Sequence, residues 1–127
     1  MGKILIAVRE ASWGRIVASL LENEKHEIFY SRDKQSTLNL VKEVSLDASL
    51  MDFNIAKSAL EETLVKLPDL VVAVIGNLPK NRAEKKIFKT DLEKIEKSNV
   101  KYFERSGYFA EPITSYLNES LSYKIQA

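Results

Sequence analysis

The stretch Leu46-Asp47-Ala48-Ser49-Leu50-Met51-Asp52-Phe53-Asn54 decides the fold. Its middle, Ala48 to Met51, is uncharged and bounded by two aspartates. The run from Asp47 to Asp52 reads as a short strand buried between layers. Asp52 then stands at the carboxyl end of that strand, where an aspartate can also cap the helix that follows.

Working outward, similar short runs alternate with segments of helical period. Lys3 to Val8 is nearly continuous in apolar residues and predicts a first strand covered on both faces. Ser12 is placed to cap a helix whose apolar face would hold Ile16, Val17, Leu20 and Leu21. His26 to Tyr30 predicts the second strand, with Ser31, Arg32 and Asp33 turning into a helix that buries Leu38, Val41 and Val44. After the third strand comes a helix through Ala56, Ala59, Leu60, Leu64 and Leu67, stopped by Pro68.

Asp69 to Gly76 contains Leu70-Val71-Val72-Ala73-Val74-Ile75 and is the clearest buried strand. A charged helix from Arg82 to Ser98 carries a thin stripe of Ile87 or Phe88, Leu92 and Ile95. Val100 to Glu104 predicts a fifth strand, and Ile113, Tyr116, Leu117 and Leu121 line a last helix. Five strand–helix units imply a doubly wound α/β three-layer sandwich with a five-stranded parallel sheet.

Composition narrows the chemistry. The 127 residues suit one domain, and 45% hydrophobic content suffices for one core. Charged residues make up 29% and nearly cancel, giving a formal net charge of +1. Such a balance supplies no general attraction to nucleic acid or to anionic membranes. There is no cysteine, so disulfides and thiolate chemistry are excluded, and a cytoplasmic location fits. No apolar run is long enough for a signal-peptide core or a membrane span. The one histidine, His26, rules out a multi-histidine metal site and is expected to be structural.

In an open parallel sheet, ligands lie beyond the carboxyl ends of the strands. The residues there are Val8, Arg9 and Glu10 after the first strand, and Asp52, Phe53 and Asn54 after the third. Gly76 and Asn77 follow the fourth, and Arg105 or Glu111 the fifth.

In these segments the chain resembles the receiver domain of two-component response regulators. Ile4-Leu5-Ile6-Ala7-Val8-Arg9-Glu10-Ala11-Ser12 is similar to the family's opening strand followed by Asp-Asp-Glu-Pro-Ser. His26 to Asp33 and Leu38 to Val41 follow the family's second strand and helix. Leu46 to Asn54 is similar to the family's strand Tyr-Asp-Leu-Val-Leu-Leu-Asp, and the match runs without a gap from Lys3 to Asn54.

The resemblance implies a single receiver-like domain over residues 1–127 and puts Asp52 at the phosphoacceptor position. It also puts Val8 and Arg9 where the family has two acidic magnesium ligands. Valine cannot ligate a metal, and arginine brings a fixed positive charge to the place of the cation. Gly76-Asn77 stands where the family has Ser or Thr. The family's lysine becomes Arg105 if Val100–Glu104 is the fifth strand. It becomes Glu111 if Tyr108-Phe109-Ala110-Glu111-Pro112-Ile113 is aligned on the family's Lys-Pro segment.

The expected product is a stand-alone atypical receiver with a degenerate pocket. It would not be an enzyme, would hold no metal or cofactor, and would act through a protein partner: a kinase, an output protein or itself, as a homodimer. Arg9 is expected to replace the metal by pairing bidentately with Asp52. The alternatives are a true phosphoacceptor on Asp52, with magnesium, and a small nucleotide- or anion-binding protein or enzyme. Tyr102, Tyr108 and Tyr116 mark the expected interaction face, with internal aromatic packing as the other reading. Lys80, Arg82, Lys85, Lys86 and Lys89 interleave with Glu84, Asp91, Glu93 and Glu96, which reads as a solvated helix face.

Overall fold

The computed structural model describes residues 2–9, 11–77, 81–95, 99–105 and 110–126, apart from the side chains of 11–13, 95 and 123–126. Among these described residues ten elements alternate: β1 (Lys3–Ala7), α1 (Ala11–Asn23), β2 (Glu27–Ser31), α2 (Lys34–Glu43) and β3 (Ala48–Asp52) come first. They are followed by α3 (Phe53–Lys66), β4 (Val71–Gly76), α4 (Arg82–Ile95), β5 (Val100–Glu104) and α5 (Ala110–Gln126). The strands form one parallel sheet in the order β2-β1-β3-β4-β5. This is the doubly wound, three-layer arrangement that the alternating pattern predicts.

Alternation along the buried strands sorts the core into two halves. Ile4, Ile6, Ala48, Leu50, Ala73 and Ile75 point to the layer of α1 and α5. Leu5, Ala7, Met51, Val72 and Val74 point to the layer of α2, α3 and α4. The strand order reverses between β1 and β3, so Ala7–Arg9 and Met51–Asp52 sit side by side at the carboxyl edge, with Ala7 paired to Met51.

The helix faces differ from expectation in places. In α1 the inner face is Gly14, Val17, Ala18 and Leu21, while Ile16 is 53% and Leu20 38% exposed. The contact is set by the i, i+3, i+4, i+7 stripe through Gly14, whose lack of a side chain lets the helix lie close. A Cβ at Gly14 would stand 2.7 Å from Val8 Cγ2 and 3.2 Å from Ile6 Cγ2. Helix α1 begins at Ala11, so Ser12 lies inside it and not before it.

In α4, Phe88 is buried and Ile87 is exposed, and residues 96–98 lie outside the described residues. β2 runs one residue later than expected and β4 begins at Val71, after a turn closed by the Leu70 N–H donating to Leu67 O. Asp33 caps α2, and its carboxylate is held below the usual range chiefly by the Ser36 backbone N–H.

Candidate functional site

Asp52 ends β3 and is the N-cap of α3. Its Oδ1 accepts the Ile55 N–H at 2.8 Å, and its Oδ2 accepts the Arg9 N–H at 2.7 Å. The residue is 9% exposed. One carboxylate thus ties together the end of β1, the end of β3 and the start of α3, across 43 residues of sequence. The capping role expected of Asp52 is present. The expected guanidinium–carboxylate pair is not: what joins Arg9 to Asp52 is the Arg9 main-chain N–H. Arg9 reaches Asp52 through its main chain, and its side chain is exposed. An amide at an extended strand end points laterally at its neighbour, whereas a long side chain there is drawn to water.

These residues do not suit a magnesium ion. At the ends of β1 and β3, Asp52 is the one described carboxylate, and both its oxygens already accept N–H groups. Val8 is buried against α1, and Arg9 is cationic. A hard dication needs several oxygen ligands, and this donor set falls short. Glu10 lies outside the described residues.

Gly76 ends β4 and pairs with Glu104. A Cβ there would meet Phe53 Cβ at 3.0 Å and Tyr102 Oη at 3.2 Å, so the position is glycine because an aromatic cluster fills the space. Phe53 and Phe88 stack with centroids 4.5 Å apart. Tyr102 meets both edge-on, at 6.3 and 5.5 Å. Asn77 is exposed. The Arg105 N–H donates to Gly76 O, and β5 ends at Glu104. That fixes the register: Arg105 directly follows the fifth strand, and Glu111 is exposed in the first turn of α5.

Two of the three interaction-face tyrosines are engaged inside the molecule, and Tyr108 lies outside the described residues. The Tyr116 hydroxyl donates to Asn99 O at 3.2 Å. Lys101 Nζ lies over the Phe103 and Tyr116 rings, 5.3 and 5.7 Å from their centroids. The Tyr102 hydroxyl is buried without a hydrogen-bond partner among the described residues.

Burial, assisted by Glu104, pushes the Tyr102 phenol up from 10.0 to about 12. A raised value means the fold binds the phenolic proton more tightly than the unfolded chain does. Its contribution to stability is therefore complete below pH 10 and is lost as pH rises towards 12. In urea unfolding, Tyr102→Phe should show a shallower loss of stability over that window than wild type. At pH 7 the variant should be neutral or slightly more stable, since it removes an unsatisfied hydroxyl. A parallel loss in both proteins would remove Tyr102 as the cause.

His26 is structural, as expected. Its Nδ1 accepts the Gly2 N–H at 3.0 Å, so Nε2 carries the proton donated to Asn118 Oδ1 at 2.8 Å.

Comparison with known proteins supports the same architecture. No protein-family model matches the chain, and no curated protein matches it in sequence. Among solved structures, a response regulator receiver domain protein from Clostridium thermocellum superposes with a TM-score of 0.74 at 16% identity. The match covers 99% of this chain and 98% of that one. A receiver domain protein from Methanospirillum hungatei JF-1 gives 0.71 at 16% identity, covering 97% and 98%. A member of a streptococcal family of redox sensors that evolved from two-component response regulators gives 0.73 at 12% identity. That match covers the whole chain here but spans only 56% of the streptococcal protein. At these identities the likeness establishes the fold, which is that of a receiver domain.

Proposed function

We propose that this chain is a receiver-type signalling module that works by contact with a protein partner and without magnesium-dependent phosphorylation of Asp52. The observation that carries this reading is the state of Asp52: both carboxylate oxygens accept main-chain N–H groups, and its neighbours Val8 and Arg9 offer no side-chain oxygen ligand. Asp52 serves as a joint between β1 and α3, a role that an aspartate fills without chemistry. The module is non-enzymatic, and its partner is a kinase, an output protein or a second copy. Receiver-type neighbours support this reading of partner class. Thiol-based redox sensing is closed to this chain, which has no cysteine. Among the described residues no helix is long and apolar enough to cross a membrane.

The test is incubation with magnesium and acetyl phosphate, followed by intact-mass measurement. Wild type is expected to remain unlabelled, and addition of one phosphoryl group on Asp52 would overturn the proposal in favour of a true phosphoacceptor. The double change Val8→Asp with Arg9→Asp restores two carboxylates and is expected to gain magnesium-dependent labelling. Arg9→Asp alone, which leaves the packing of Val8 against α1 intact, is expected to gain a smaller fraction.

A further inference from the structure

A second site lies between α1 and β2, lined at its base by Val8, one residue before the Arg9 amide that Asp52 accepts. An open groove of about 590 Å³ runs between α1 and the free edge of β2. Its volume is that of a pocket for a small organic molecule. One wall is the α1 stripe Arg15, Ser19 and Glu22, spaced four and three residues apart and so on one helix face. The other wall is Tyr30 and Arg32 at the end of β2, and Gly14 forms the floor.

Topology sets the polarity of this groove. Helix α1 starts where β1 ends, and β2 runs parallel to β1. The start of α1 and the end of β2 therefore share the carboxyl edge, which brings Arg15 and Arg32 to the same end. Glu22 is two helical turns further along α1, about 10 Å from Arg15. Neither Arg15 nor Arg32 forms an ion pair with a described carboxylate. Tyr30 lies between the two ends and is 52% exposed as a residue. Its phenol is raised chiefly by burial, then by Glu22, and lowered by Arg15, so its hydroxyl stands within the field of both.

We propose that this groove binds a small phosphomonoester, its phosphate held by Arg15 and Arg32 and its body lying along Tyr30 towards Glu22. Guanidinium groups suit phosphate because their donors match two of its oxygens at once. The Ser19 and Tyr30 hydroxyls supply further donors beside them. Glu22 accepts hydrogen bonds and repels anions, so it favours a body that carries hydroxyl or amino groups and sets which end the phosphate occupies. The exposed Tyr30 ring offers a flat apolar surface for that body. This site depends on neither Asp52 nor the signalling reading.

The experiment is an amide and arginine side-chain NMR titration with three probes: inorganic phosphate, adenosine monophosphate and adenosine. Adenosine monophosphate is expected to give saturable shifts at Arg15, Ser19, Tyr30 and Arg32. Phosphate should bind the same residues more weakly, and adenosine more weakly than the monophosphate. Arg15→Gln with Arg32→Gln should weaken the monophosphate about ten-fold or more, the loss expected on removing charged hydrogen bonds. Glu22→Gln keeps an acceptor for the ligand's hydroxyl or amino groups and removes only the negative charge, so it should tighten the anionic monophosphate. Both arginines are exposed, so the fold should survive, and the single changes give the same reading if the double variant unfolds. The proposal fails if no probe saturates, if the double variant binds as wild type does, or if the shifts centre on Asp52 and Asn77.

Discussion

Asp52→Ala is expected to lower the unfolding free energy by about 2–3 kcal/mol, the sum of a lost helix cap and a lost hydrogen bond to a part-buried amide. The Ile55 N–H loses its acceptor at the start of α3, and the Arg9 N–H loses its own at the end of β1. Nothing else described accepts these two donors, and Asp52 itself is nearly closed to water. Asp52→Asn keeps one oxygen and can serve one donor, but its amide nitrogen then faces the other N–H. Its cost should be smaller, about 1–2 kcal/mol. Urea unfolding of the three proteins at pH 7 gives the comparison. An alanine variant within about 0.5 kcal/mol of wild type, the range of an ordinary surface change, would show that the joint is not structural. The ranking of alanine below asparagine separates a structural aspartate from one present for its charge.

Gly14→Val is expected to cost about 3 kcal/mol, at the upper end of core overpacking. A Cβ alone would press within 2.7 Å of Val8 Cγ2, and Val8 is β-branched and cannot turn aside cheaply. The two further methyl groups would have to displace α1 from β1. Gly14→Ala makes a sharper comparison, because alanine gains about 1 kcal/mol of helix propensity that offsets part of the clash. Alanine should therefore fall between wild type and valine. Thermal unfolding by circular dichroism measures all three. A valine variant as stable as wild type would mean that α1 can lift without loss, and that the close approach holds nothing together. Because Gly14 floors the groove beside Arg15, displacement of α1 should also weaken phosphate binding there.

Much of the architecture is legible in residue order. Ile4 to Val8 and Leu70 to Ile75 are uninterrupted apolar runs of strand length, rich in β-branched residues, and they suit a strand covered on both sides. Pro68 marks the end of α3, and the turn before β4 follows directly. The departure of Val8 and Arg9 from acidic chemistry is also visible at once, because side-chain charge does not depend on fold. Asp52 at the end of its strand is equally plain.

The contacts that give those residues their roles were not legible. Periodicity proposed Ile16 and Leu20 for the inner face of α1, yet glycine at position 14 lets a different stripe approach the sheet. The spacing in α4 left Ile87 and Phe88 equivalent until Phe53 and Tyr102 supplied an aromatic partner for one of them. Gly76 looked like a missing hydroxyl, and only the position of Tyr102 shows that a side chain there would collide.

By itself, then, the sequence determined the order of elements, the buried strands and the charges at the carboxyl edge, all of which depend on local pattern. Tertiary structure decided that Arg9 meets Asp52 through its amide and not its guanidinium, and that Arg15 and Arg32 share one end of a groove. Such contacts join residues far apart in the chain. Their geometry depends on how closely two layers approach, which local periodicity does not encode.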